Sequence, residues 1–108
     1  MPITQKSPAE VRDSLDRGEI LLVDVREVHE YAAERIAGAL LYPLSTFDPK
    51  AIPVDGRRLV LQCAGGVRSL RAAQALVAAG HAEVVNLEGG INAWKAAGLP
   101  IIRGGEQS

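Results

Sequence analysis

Short apolar runs alternate with helix-forming stretches along this chain, and this alternation restricts the fold more than any other feature. Two of the runs, residues 20–25 and 59–63, are almost entirely apolar, as expected of strands that are covered on both faces of a sheet. A weaker strand signal lies at residues 39–42, and a further strand is predicted at residues 83–87. Strands that alternate with helices are typical of an α/β fold whose sheet is mainly parallel.

The helix signals are equally specific. Ser7 is suited to cap a first helix, because Pro8 fits the first helical position and Glu10 completes a capping box. The clearest helix covers residues 67–79, where apolar side chains recur with the helical period. Two shorter helices are predicted at residues 27–34 and 90–97.

Length and composition favour one globular domain. The 108 residues are too few for two domains, and a net charge of −1 gives no sign of a nucleic-acid-binding protein or a basic membrane-binding surface. Residues 1–11 hold no apolar stretch of signal-peptide length, so a cytoplasmic protein without a membrane partner is expected. The domain is predicted over residues 1–102, with a mobile tail at residues 103–108.

Cys63 is the single cysteine of the chain. One cysteine excludes an internal disulfide and a multi-cysteine zinc site, and it agrees with a reducing compartment. His29 and His81 stand apart from other metal-binding residue types, so no metal site is expected.

The segment from Cys63 to Ser69 has the pattern of a reactive cysteine. It links a strand to a helix, and Gly65 and Gly66 allow the chain to turn sharply. The amides of residues 64–69 are expected to converge above the start of the helix, where they favour an anion and the Cys63 thiolate. Because parallel sheets form their sites beyond the carboxyl ends of the strands, this segment is the first candidate site.

Two arginines, Arg68 and Arg71, lie in the first turns of that helix, where acidic residues are normally favoured. A negative group is therefore expected nearby, and a thiolate, a persulfide or a bound oxyanion would supply the charge. Arg68 is suited to hold an oxyanion through two parallel hydrogen bonds. Each feature also has an ordinary explanation: Cys63 as a core residue, the arginines as solvated surface and the glycines as a plain turn.

The segment Cys63-Ala64-Gly65-Gly66-Val67-Arg68-Ser69 resembles the active-site loop of rhodanese domains. Three further segments resemble rhodanese segments in the same order along the chain, namely residues 22–27, 35–39 and 85–94. Arg35 departs from the pattern, because the family commonly has histidine there. The resemblance extends over about residues 3–101.

This resemblance implies a rhodanese-like three-layer α/β fold, with a mainly parallel five-stranded sheet flanked by helices. It implies that Cys63 and Arg68 are catalytic. Cys63 would take sulfur as a persulfide from a small anionic donor such as thiosulfate, and Arg68 would orient that donor. The acceptor would be cyanide, a thiol or a thioredoxin-like protein. No cofactor is implied, and a monomer is expected.

Further roles follow from the same resemblance. Asp24 and Arg26 would support the loop from the neighbouring strand, the alternative being a surface ion pair. Gly89 and Gly90 would let an adjacent loop approach closely, whereas Trp94 fits the core better than the site. The loop that binds the anion and the persulfide would comprise Ala64, Gly65, Gly66, Val67 and Ser69.

Two other functions are compatible with these residues. Cysteine phosphatases also place a cysteine and an arginine around an oxyanion, but they separate the two by five residues, whereas four separate Cys63 from Arg68. The tighter loop favours a sulfur atom over a phosphoryl group. The chain is also compatible with a persulfide carrier, or with a redox or interaction module, that serves one protein partner.

Overall fold

The structure, a computed structural model, describes residues 2–104. Its strands are β1 (Ile3–Lys6), β2 (Ile20–Asp24), β3 (Glu34–Arg35), β4 (Leu40–Leu41), β5 (Arg58–Gln62), β6 (Val84–Leu87) and β7 (Ile102–Arg103). Its α-helices are α1 (Pro8–Asp16), α2 (Val28–Ala33), α3 (Val67–Ala78) and α4 (Gly90–Ala96). Within residues 2–104, no helix has both the length and the apolar composition that a membrane span requires.

Five strands form one parallel sheet in the order β1-β6-β5-β2-β4. Helix α3 packs on one face through Ala72, Ala73 and Leu76, while α1 and α4 pack on the other through Val11 and Trp94. The predicted three-layer α/β fold with a mainly parallel five-stranded sheet is therefore confirmed.

The central strand, β5, carries the chain to the candidate site. Its side chains alternate between the two cores, so that Leu61 packs with Leu76 of α3 and Val60 packs with Trp94 of α4. Cys63 continues this alternation and lies on the α3 face. Because the strands are parallel, their carboxyl ends meet at one edge of the sheet, and Cys63 lies at the middle of that edge.

The sequence pattern did not reveal two short pairings. Strand β1 adds an edge to the sheet by pairing with β6, although its four residues include two that are polar and one that is charged. Strands β3 and β7 pair antiparallel, with Arg35 opposite Ile102 and Glu34 opposite Arg103. The strands β1, β3 and β7 each have too few apolar residues to be recognised from the sequence of that strand alone.

The same antiparallel pairing bears on the C-terminal segment. Arg103 belongs to β7, and the amide of Gly104 donates to the carbonyl oxygen of Ala33 over 2.7 Å. Hydrogen-bonded structure thus continues through Gly104, into the segment for which a mobile tail is expected. Residues 105–108 of that segment lie outside the described range.

Candidate active site

The Cys63 side chain lies beneath the turn between β5 and α3. The residue is only 1% exposed, whereas Gly65 and Val67 of the same turn are exposed. Gly66 has a φ of +103°, a left-handed conformation that glycine adopts without strain, and it caps the start of α3. The turn therefore shields the thiol almost completely from solvent.

The turn directs hydrogen-bond donors at the sulfur. The Gly66 amide donates to Cys63 Sγ over 3.0 Å, and the Ser69 hydroxyl lies 3.4 Å from it. Burial raises the pKa of the Cys63 thiol, but hydrogen bonds from the Ser69 hydroxyl and amide and from the amides of Gly66 and Arg68 outweigh burial. The pKa of Cys63 is consequently lowered, which favours the thiolate.

Helix α4 holds the turn from the neighbouring strand end. The amide of Ile91 donates to the carbonyl oxygen of Cys63 over 2.8 Å, and the amide of Asn92 donates to that of Ala64 over 3.1 Å. This approach requires a glycine at position 90, because a Cβ there would lie 2.3 Å from the Cys63 carbonyl oxygen. The expected close approach of the Gly89–Gly90 segment is present at Gly90.

A buried polar pair beside the thiol was not anticipated. The Ser69 hydroxyl lies 2.5 Å from Asn86 Oδ1 of β6, and the Asn86 amide donates to Gln5 Oε1 over 3.2 Å. Ser69 and Asn86 are 0% and 2% exposed. The signal available in the sequence is one asparagine inside the apolar run of β6, on the α3 face that also carries Cys63.

The negative partner of Arg68 is a carboxylate of the protein. Its two terminal nitrogens donate to the two carboxylate oxygens of Glu30 in α2 over 2.7 and 2.9 Å. The carboxylate of Glu30 thus supplies negative charge that the sequence did not reveal, and the charge of Cys63 also raises the pKa of Arg68. Because Glu30 lies 38 residues earlier in the chain, no local pattern around Arg68 points to it.

Asp24 and Arg26 form a buried ion pair rather than a surface pair. They are 0% and 3% exposed, and Arg26 donates to Asp24 through its amide, Nε and Nη2. Arg26 also donates to the carbonyl oxygens of Glu30 and Glu34 over 3.4 and 2.7 Å. These bonds hold α2, the helix that carries Glu30, the partner of Arg68.

Three other residues singled out in the sequence lie on α2, on α4 and in β3. His29 is exposed on α2, and Trp94 is buried and donates to the carbonyl oxygen of Pro100 over 2.8 Å. The guanidinium of Arg35 lies 5.3 Å from the centre of the Tyr31 ring. Arg35 thus takes a local packing role.

Two cavities flank the sheet at opposite ends. One of about 340 Å³ opens beside the turn and is lined in part by Ala64, Glu30 and Asn92. The other, of about 580 Å³, opens near Arg57 and Arg58, which are paired with acidic side chains, and no cysteine lines it. Of these two cavities, the one lined by Ala64 borders the turn that follows Cys63.

The arrangement is suited to nucleophilic transfer of a single atom. The thiolate is favoured before a donor arrives, and the amides that favour it also suit a persulfide, which carries its negative charge one atom further out. A thiolate that is already formed needs no general base.

Comparisons with known proteins agree with this chemistry. A family model described as a rhodanese-like domain matches residues 7–97. A sulfurtransferase of Allochromatium vinosum is 40% identical over 89 residues, which cover 81% of this chain and 82% of that protein. The thiosulfate sulfurtransferase GlpE of Coxiella burnetii is 34% identical over 97 residues, which cover 89% of this chain and 91% of that protein. With an uncharacterized protein of Synechocystis the identity is 39% over 98 residues, and this chain spans about half, 55%, of its length.

Solved structures share the architecture. A rhodanese-related protein from Thermoplasma volcanium superposes with a TM-score of 0.81 at 28% identity, over 92% of this chain and 97% of that one. A thiosulfate sulfurtransferase from Pseudomonas aeruginosa gives a TM-score of 0.80 at 28% identity, over 98% of this chain and 22% of that one. The resemblance seen in the loop residues is thus confirmed, and the chain belongs to the rhodanese-like domain family.

Proposed function

We propose that this protein is a sulfurtransferase that carries sulfane sulfur on Cys63 as a persulfide. The observation that carries the proposal is the Cys63 thiol, whose lowered pKa results from hydrogen bonds with Ser69, Gly66 and Arg68 that outweigh its burial. Relatives that match most of this chain and are named sulfurtransferases support it.

In the first step the Cys63 thiolate attacks the terminal sulfur of a donor such as thiosulfate. A bond forms between Sγ and that sulfur, the sulfur–sulfur bond of thiosulfate breaks, and its electron pair leaves with sulfite. One thiolate and one thiosulfate dianion thus give one persulfide anion and one sulfite dianion. The amides around Sγ hold the negative charge as it moves outward by one atom.

In the second step an acceptor attacks the outer sulfur of the persulfide. Cyanide leaves as thiocyanate, or a thiolate of a small thiol or a thioredoxin-like protein leaves as a new persulfide, and the Cys63 thiolate is restored. The proposal includes a monomer acting in the cytoplasm, where thiols are kept reduced.

The experiment is an intact-mass measurement of the protein after incubation with thiosulfate. We expect the mass to increase by one sulfur atom, and we expect cyanide to reverse the gain with formation of thiocyanate. The Cys63→Ser variant should fold normally and gain nothing, because serine fills nearly the same volume but cannot form a persulfide.

A gain of sulfur in the Cys63→Ser variant would refute transfer through Cys63. Failure of the unmodified protein to gain sulfur from any sulfane-sulfur donor would refute sulfur transfer itself. Ready loading from the donor with poor turnover by cyanide and small thiols would instead favour the persulfide carrier that serves one protein partner.

A further inference from the structure

The guanidinium expected to hold an anionic donor already holds a carboxylate. Arg68 donates through Nη1 to Glu30 Oε1 over 2.7 Å and through Nη2 to Glu30 Oε2 over 2.9 Å. An oxyanion that binds arginine through two parallel hydrogen bonds uses the same kind of fork. A donor and Glu30 therefore compete for Arg68.

The charges beside the thiolate follow from this pair. The Arg68 guanidinium, hydrogen-bonded to the Glu30 carboxylate, lowers the pKa of that carboxyl to about 2, so Glu30 is ionised at neutral pH. The pair sums to zero charge next to the Cys63 thiolate. A second cation at this edge, Arg26, is likewise neutralised by Asp24. Neither pair offers net positive charge to a donor with two negative charges that approaches the thiolate, and a donor with one charge meets about half the repulsion.

We infer that Glu30 determines donor specificity: by pairing with Arg68 it disfavours dianionic donors such as thiosulfate relative to singly charged sulfane-sulfur donors. This inference rests on the proposed function and names the charge class of its donor. Glu30 acts through Arg68 and does not touch the transferred sulfur, so it is a positioning residue.

The geometry of α2 fixes Glu30 in this role. Its Oε1 atom also accepts a hydrogen bond from the Glu27 amide over 3.0 Å, as part of a capping box, and its side chain is 25% exposed. Arg26 holds the end of the same helix through the carbonyl oxygens of Glu30 and Glu34. The carboxylate is therefore presented to Arg68 by a helix that is anchored at both ends.

The test uses Glu30→Gln with two donors of different charge. Glutamine still accepts the Glu27 hydrogen bond and keeps the capping box, but it removes the charge that pairs with Arg68. The donors are thiosulfate, with two negative charges, and an aryl thiosulfonate, with one. With the second donor the thiolate bonds to the terminal sulfur, the sulfur–sulfur bond breaks, and its electron pair leaves with the aryl sulfinate.

We expect kcat/KM for thiosulfate to rise about tenfold in Glu30→Gln, the typical effect of one additional charge-assisted hydrogen bond. For the aryl thiosulfonate it should rise by no more than about threefold, so the ratio between the donors shifts. The shift should be absent when Arg68→Gln is already present, because Glu30 acts through Arg68.

Glu27→Gln is the matched control. It removes one negative charge from the same end of α2, but the Glu27 side chain is hydrogen-bonded to Ser45. Because the Glu27 charge acts on Arg68 only through space, this variant should change kcat/KM for either donor by less than about twofold, and the ratio between the donors should shift much less than in Glu30→Gln. If Glu30→Gln changes kcat/KM by the same factor for both donors, or lowers kcat/KM for thiosulfate, the inference is overturned and Glu30 is a structural residue.

A binding measurement separates this inference from the proposed function, because it requires no sulfur transfer. Sulfate, with two charges, and methanesulfonate, with one, are compared as protectants of Cys63 against alkylation by iodoacetamide. Glu30→Gln should lower the sulfate concentration for half-protection about tenfold and change that of methanesulfonate much less. An unchanged ratio would overturn the inference even if the persulfide forms.

Discussion

At the scale of single residues, the reactivity of Cys63 depends on where one proton points. The Ser69 hydroxyl has one hydrogen and three acceptors within reach: Asn86 Oδ1 at 2.5 Å, the Gly66 carbonyl oxygen at 3.2 Å and Cys63 Sγ at 3.4 Å. A thiolate is a stronger acceptor than a thiol, so ionisation of Cys63 favours rotation of the hydroxyl toward the sulfur. Asn86 Oδ1 competes for that proton and so weakens the hydrogen bond that the Ser69 hydroxyl donates to the sulfur.

The variant Ser69→Ala tests this contribution. Removing the hydroxyl should raise the pKa of Cys63, because one of the hydrogen bonds that lower it is lost. Alkylation by iodoacetamide below the midpoint should slow about five- to tenfold, as the thiolate fraction falls. The measurement is the alkylation rate against pH, with Ser14→Ala on α1 as the control. A midpoint that stays in place would show that the Ser69 hydroxyl keeps donating its hydrogen bond to Asn86 Oδ1 rather than to the sulfur.

At the scale of elements, the site depends on contact between two strand-to-helix connections. The turn after β5 supplies the nucleophile, and the start of α4 donates two backbone hydrogen bonds to its carbonyl groups. Those carbonyls face the chain at Gly90, where no side chain fits between them and the backbone. The position of the Cys63 turn is thus set by backbone contact from the neighbouring connection.

We expect Gly90→Ala to lower the free energy of unfolding by about 2–5 kcal/mol, from left-handed strain and overlap with the Cys63 carbonyl. Gly98→Ala at the other end of α4 is the matched control. Its φ of +75° imposes similar strain, but a Cβ there meets nothing within 4 Å, so the loss should be about 1–2 kcal/mol. Urea unfolding measures both variants. Equal losses of unfolding free energy in the two variants would contradict a role for the close approach between Gly90 and the Cys63 carbonyl group.

At the scale of the whole molecule, stability depends on a charge pair inside the fold. Two pairs share the same local geometry, in which an arginine amide and side chain bind the aspartate two residues earlier: Asp24 with Arg26, and Asp55 with Arg57. The first is buried and the second is exposed. The second should add little, because solvent screens it.

Replacing Arg26 with methionine should cost about 3–5 kcal/mol, because Asp24 is left buried without its partner. A small domain has only about 5–15 kcal/mol in total, so the variant is expected to be partly unfolded at 37 °C. Arg57→Met, measured beside it by denaturant unfolding, should keep a midpoint close to that of the unmodified protein. Similar losses in the two variants would argue against burial as the cause.

Much of the fold was readable from the sequence. The runs that became β2 and β5 are strongly apolar, since strands covered on both faces bury nearly every side chain, and the capping box at Ser7 marks the start of α1. The edge strand β1 and the β3–β7 pair were not readable, because their few residues become strands only through hydrogen bonds to distant partners.

The sequence by itself determined the position of Cys63 at a strand end, the turn that follows it and the helix after that turn, because adjacent residues create all three. The tertiary structure alone decided which groups face the sulfur and the arginine. Asn86 reaches Ser69 and Glu30 reaches Arg68 only after parallel strands bring their ends to one edge of the sheet. Hydrogen bonds and charge pairs act over a few ångströms of space, whatever the separation along the chain, and the donor preference that we infer for this site would depend on such contacts.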